Sequence, residues 1–555
     1  MKQLILILLF WLSTPLIAQD FQPYLIAPFQ TGKSIGMEPW LGPKDAFNTL
    51  INARVNKGVL EKRQGYQLFA TMKHGSTVQT KTAIMGIKTY FRNNMPTLLI
   101  FDTLRVNKYD ALNETMTDIA GSDIFTGGDD NYFQLCNWIG TAYFTNNVDQ
   151  IYKYTGSGNV SVFNVQVSST GATNQIQTCR YIFIKNDRML LLDVVENGLW
   201  IPQRCRYSPV LSSSFYASGS GYIDAPTQDV ITSAGWVGKD IVVFFQGRYT
   251  GSIWRIRTTG NVDLPLKWEK ITDTSGSVSP YSSVEFNEGM AVIGLKNILF
   301  FDGFTAIPID IAKVRDIVND FDVTKLKYST AHYVTEDQHV YFTYTTSGED
   351  YPDRILDYNV MEQIWAVHKY DVHCLGTFND QQVPIWTDLD KAYTGTNGDT
   401  ADNMTFDSRY VFGDPYPFTL MGTRVSTVYK MNTGNYDGVD AVAGTIDIDI
   451  RSARWNPYIQ DNKKVSMNKI SFLVDNDSTA SFTVSFYIDS RSAAAITRTI
   501  SCDGDVDTED KFWVSASVSL AGDFISIKIS HDERNNRPRI HAIMPFFAPG
   551  GELGL

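Results

Sequence analysis

Hydrophobic positions in this chain come mostly in short runs broken by Gly, Asn, Asp and Pro, the pattern of many brief strands rather than of helices. One motif recurs: an aliphatic residue, two variable residues, an aromatic, then a turn former. It reads Val106-Asn-Lys-Tyr109-Asp110, Ile151-Tyr-Lys-Tyr154-Thr155, Ile298-Leu-Phe-Phe301-Asp302 and Ile355-Leu-Asp-Tyr358-Asn359, with Ile253-Trp-Arg-Ile256 as a degraded copy. Successive starts lie 45, 102, 45 and 57 residues apart. The spacing of 102 is close to two units of about 50 residues, and it places a missing unit near Arg188-Met-Leu-Leu-Leu-Asp193. Gly140-Thr-Ala142 and Gly289-Met-Ala291 precede two of the copies in the same way. This is the period of four-stranded propeller blades, which bury both faces by stacking radially. Residues 80–415 are therefore predicted to form a β-propeller of about six blades, with room for a seventh.

Beyond Thr394–Pro417, a Gly-, Asp-, Asn- and Pro-rich boundary, the alternation becomes strict. Gly444–Ile450, Lys469–Val474, Ser481–Tyr487 and Phe524–Ile529 all read as half-buried antiparallel strands. They predict a C-terminal β-sandwich over residues 416–555. Residues 20–79 are expected to be an N-terminal arm with a short helix and a hairpin. Two helices are predicted: one over Pro43–Leu50, with Phe47 and Leu50 on one side, and one over Asp310–Val318, with Ile311, Val314, Ile317 and Val318 on one stripe.

Composition supports the all-β class: 13% of residues are aromatic, including 28 Tyr and 32 Phe. The net charge of -12 argues against gripping DNA, because that affinity comes from Lys and Arg displacing counterions. An acidic wall could still line a passage for a polyanion. Five scattered cysteines, Cys136, Cys179, Cys205, Cys374 and Cys502, do not suggest a disulfide framework and read as buried free thiols. Residues 1–19 pull the other way. Lys2, the apolar run Leu4–Leu12 and Ala18 match a secretory signal, although Leu16 is not the small residue usual before a cleavage site; a mis-chosen start or a buried N-terminal helix are the other readings. No other stretch is long enough for a membrane span.

Several segments resemble the tail-hub, nozzle and packaged-DNA stabilisation proteins of short-tailed bacteriophages. They are Phe21–Phe29, Glu38–Phe47, Asn52–Tyr66 with its Lys62-Arg63-Gln64-Gly65-Tyr66 step, Asn186–Leu192 followed by Pro202–Ser208, Asp357–Trp365, and Arg539–Gly551. The resemblance implies a virion protein forming a homo-oligomeric ring around a DNA channel. Portal, adaptor and other tail proteins would be its partners, DNA would pass without specific binding, and assembly would occur in the host cytoplasm. The leader favours an alternative, a secreted propeller that binds carbohydrate or protein.

The chemical motifs are sparse. His368, Asp371, His373 and Cys374 lie close in sequence but match no zinc spacing. Asp503–Asp510 begins like an EF-hand loop, yet Thr508 and Val514 occupy the positions that need Gly and Glu. No nucleophile elbow, metalloprotease helix, phosphate loop or glycosidase aspartate box occurs. No enzyme, no metal and no cofactor are expected. Arg54, Lys57, Lys62 and Arg63 form a basic cluster in an acidic chain and are the candidate subunit or partner contact.

Overall fold

The computed structural model describes residues 20–553, apart from 93–94, 112–113, 169–173, 248, 312, 380–415, 439–443, 478, 505–509 and 535. The leader and most of the Thr394–Pro417 boundary therefore lie outside the described residues. The rest is almost entirely β-structure.

Among the described residues, seven antiparallel four-stranded units follow one another as propeller blades. Blades 1 to 6 cover 84–118, 134–162, 175–224, 230–272, 284–308 and 331–369, and a short strand, Val165–Gln166, is added to the inner edge of blade 3. Blade 7 combines Cys374–Phe378, Phe418–Gly422 and Thr427–Met431 with a strand from the N-terminal region, Tyr66–Thr71. The ring closes where Cys374–Phe378 lies against the innermost strand of blade 1, Ile84–Arg92. The seventh blade fills the room that the repeat left beyond six, and its fourth strand precedes the first blade in the chain.

The recurring motif occupies one position in the fold. Val106–Asp110, Tyr152–Tyr154, Gly251–Thr258, Ile298–Phe301 and Arg354–Asn359 are each the third strand of a different blade. Tyr109, Tyr154, Phe301 and Tyr358 are all buried. The missing unit is displaced by one strand: Arg188–Glu196 is the second strand of blade 3, and Leu199–Tyr207 is the third. Middle strands lose the alternation because neighbouring blades cover both faces. Ile241–Phe245 in blade 4 and Gly289–Ile293 in blade 5 are buried throughout. Between these blades Phe244, Ile253, Met290, Val292 and Phe301 interlock.

The sandwich is built from both ends of the chain. One sheet runs Ala53–Asn56, Val59–Lys62, Arg539–Glu552, Lys463–Asp475, Lys511–Gly522. The other runs Ala46–Ile51, Ile448–Ser452, Ile525–His531, Ser481–Ile488, Ile496–Ser501, and it continues blade 6 through a parallel pairing of Ile51 with Val367. The four predicted C-terminal strands are present, and Phe472, Phe482, Phe486 and Ile527 sit in their shared core. The segment expected to be an arm is instead structural, with Phe29, Phe47, Leu50 and Val55 in that same core.

The predicted helix over Pro43–Leu50 is a strand, Ala46–Ile51. Its register against Ile448–Ser452 shifts between Phe47 and Thr49. A bulge of this kind turns two residues three apart to the same face, which imitates helical spacing. The second helix is real but shorter, Arg315–Asn319.

Candidate functional site

The basic cluster lies on the hairpin Ala53–Lys62 and the segment that leads from it into blade 7. Three of its four residues are interior: Arg54, Lys62 and Arg63 are 4%, 0% and 3% exposed. The expected partner contact is therefore corrected for these three, because a side chain enclosed by its own chain cannot meet another subunit. Lys57 alone is exposed, at the hairpin tip.

Each buried cation joins distant parts of the chain. Arg54 donates from Nε to Glu61 at 3.1 Å and from Nη1 to Asp337 of blade 6 at 2.6 Å. Glu61 also receives Arg537 at 2.8 Å and Arg539 at 3.3 Å, and Arg539 continues to Asp475 at 3.2 Å. Lys62 Nζ donates to the carbonyls of Glu533 and Asn536 at 2.7 and 3.2 Å. Burial pushes its pKa down to about 8, because the charged form loses hydration.

Arg63 is the most fully engaged. Its two terminal nitrogens grip Asp437 at 2.8 and 2.6 Å, the bidentate geometry that suits a planar guanidinium. It also donates to Asn52 Oδ1, the Gln64 carbonyl and the Lys369 carbonyl, and its face lies 4.0 Å from the Tyr370 ring centre. Gly65 follows because nothing larger fits: a Cβ there would stand 1.8 Å from the Tyr436 carbonyl oxygen.

Behind this junction Asp357 lies between two imidazoles. His339 Nδ1–H donates to one carboxylate oxygen at 2.7 Å and His368 Nε2–H to the other at 3.0 Å. Burial alone would raise the Asp357 pKa, but the two histidines outweigh it and hold the carboxyl below its usual range. His368 is thus committed to Asp357. His373 faces elsewhere, pairing Nε2 with the Asp129 carbonyl at 3.0 Å, so the structure separates the two histidines. Among the described residues, no group of three or more His, Cys, Asp or Glu is disposed to hold a metal. Residues 505–509 of the acidic loop lie outside the described residues.

All five cysteines are free thiols, four buried and Cys136 half-buried. Burial pushes Cys136, Cys374 and Cys502 up to about 12, which keeps them protonated at neutral pH.

Asp337 and Asp437, which pair with Arg54 and Arg63 of the basic cluster, carried no sequence signal. Arg63 and Asp437 are 374 positions apart, and only the folded ring brings them together.

No protein-family model matches the chain, and no curated protein matches it. Among solved structures it is similar to an exo-β-1,3-galactanase of Phanerochaete chrysosporium. A variant with β-1,3-galactotriose is 10% identical, covers 87% of this chain and 99% of its own, and has a TM-score of 0.25. The galactose-bound form is likewise 10% identical, with 87% and 100% coverage and a TM-score of 0.24. At these scores the likeness carries no argument about activity.

Proposed function

We propose that this chain is a structural protein of a short phage tail, a hub or nozzle component without catalytic activity that forms part of a DNA-conducting wall. The observation that carries the reading is the clamp around Arg54 and Arg63. It ties blade 6, blade 7 and the sandwich together through charged groups inside the chain, so the two bodies act as one block. A wall under mechanical load requires that rigidity.

In this reading the propeller axis is not the DNA path. Tyr132 hydroxyl shares its one proton between the Tyr328 and His373 carbonyls, at 2.9 and 3.1 Å, and its ring lies 5.0 Å from that of Tyr281. These buried aromatics crowd the interior where the blades converge. A passage would therefore run between copies, in a closed ring with an acidic lumen that DNA does not adhere to. Portal and adaptor proteins would seat the ring, and assembly would take place in the host cytoplasm.

A second reading, a secreted propeller that binds carbohydrate or protein, is favoured by exposed rings on blade 3: Trp200 is 56% and Tyr222 50% exposed. Peptide mass spectrometry of purified virions and of culture medium separates the two. The tail reading expects the chain in the virion; a chain found only in the medium, cleaved after Ala18, would replace it with the second.

A further inference from the structure

A cavity of about 310 Å³ opens at one end of blade 4, where the segment entering the first strand meets the turn between the second and third strands and the end of the fourth. The chain fixes the polar walls itself. Ser252 Oγ donates to Asp229 Oδ2 at 2.9 Å and accepts the Trp254 indole N–H at 2.9 Å. Thr227 Oγ1 accepts the Asp229 amide at 3.1 Å, Thr250 Oγ1 donates to the Asp273 carbonyl at 3.1 Å, and Lys270 pairs with Asp273 at 3.0 Å. All of these side chains line the cavity.

Several of these groups have capacity to spare. Among the described residues Asp229 Oδ1 receives no hydrogen bond. Gly247 keeps that oxygen uncovered, since a Cβ there would stand 2.9 Å from it. The Thr227 hydroxyl accepts and still has a hydrogen to give, whereas the Thr250 hydroxyl donates and still has a lone pair. Tyr249 also lines the cavity, yet 76% of it is exposed, which places its ring at the mouth. Apolar ring area left in water beside a concave polar site is stabilised when a ligand covers it.

We propose that this cavity binds one neutral sugar ring, with Tyr249 against its apolar C–H face and Asp229 accepting from its hydroxyls. The spare groups are both donors and acceptors, and a sugar hydroxyl is both at once. An anion would face the Asp229 carboxylate, and the one cation in the lining, Lys270, is already neutralised by Asp273. An organic cation would suit Asp229 but would meet the Lys270 charge and leave the Thr227 hydroxyl hydrogen unpaired. The site stands on the geometry of blade 4, so its failure would leave the tail reading untouched.

Saturation-transfer NMR titrations of the full chain with the methyl glycosides of glucose, galactose and mannose test this, with choline as the cationic comparison. The expected result is saturable binding of at least one glycoside, with transfer strongest to the ring C–H protons. Tyr249→Ala should weaken it at least tenfold, and so should Asp229→Asn. Tyr216→Ala, at a half-exposed ring of blade 3, should leave it unchanged. Asp229 is tied into the walls and its variant can disturb folding, whereas Tyr249 is exposed and its variant should not. No saturable binding of any of the three glycosides, or equal binding by Tyr249→Ala, would overturn the site. Choline binding more tightly than every glycoside would overturn its assignment to sugars.

Discussion

Replacing Arg63 by Ala should unlatch the closing strand of the propeller. Arg63 lies three residues before Tyr66–Thr71, the strand that completes blade 7. Its removal leaves the largely buried Asp437 carboxylate without its bidentate partner and strips donors from Asn52 and the Lys369 carbonyl. Breaking one side of a buried pair costs about 3–5 kcal/mol, chiefly because the surviving charge stays desolvated. At about 1.4 kcal/mol per factor of ten, amides of Tyr66–Thr71 and their partners in Thr427–Met431 should exchange roughly 100- to 4,000-fold faster. Arg63→Lys keeps the charge but loses the fork and the stacking on Tyr370, and should fall between. Hydrogen exchange read by mass spectrometry on the intact chain supplies the measurement, with blade 4 as internal reference. Unchanged exchange in Tyr66–Thr71, or an equal acceleration in blade 4, would refute the latch.

Three further outcomes follow from the same geometry. Gly65→Ala should lower the thermal midpoint measurably, by about 1–3 kcal/mol or more of stability, since its Cβ meets backbone rather than a movable side chain. Phe301→Ala, at a fully buried third-strand position, should cost about 3–5 kcal/mol in denaturant unfolding, whereas Phe304→Ala, at an exposed turn site, should cost almost nothing. His373 and His531 are each pushed by burial down to about 4. Between pH 6.5 and 4 the unfolded chain therefore binds protons that the folded chain refuses, so acid destabilises, by up to about 1.4 kcal/mol per pH unit for each group. Urea midpoints should fall from pH 7 to pH 5 and fall less in His373→Gln; an equal fall in the variant would contradict this.

The blades were legible in the sequence because the third strand repeats the same compromise, an aliphatic and an aromatic in the blade interior followed by a turn. Tyr358 and Trp365 show how local the signal is: they are direct cross-strand partners with ring centres 4.6 Å apart, flanking a single turn. Blade 7 was not legible, because its strands come from two distant segments. Strand alternation exposed the sandwich but not its N-terminal half, since Phe47 and Leu50 carry the spacing of a bulge. The basic cluster misled for a related reason. Local composition reveals that Arg54, Lys62 and Arg63 are cationic, but the carboxylates and carbonyls that neutralise them are set by tertiary closure. Lys57, at the exposed hairpin tip, is the member that still suits a partner contact.

Electron cryo-microscopy of purified virions tests the proposed tail role most directly. The expected result is several copies of this propeller and sandwich in a closed ring on the tail axis, between portal and distal tail, with the DNA path between copies along an acidic surface. A virion whose tail lacks this chain, or a tail in which it sits as an isolated peripheral copy away from the axis, would contradict it.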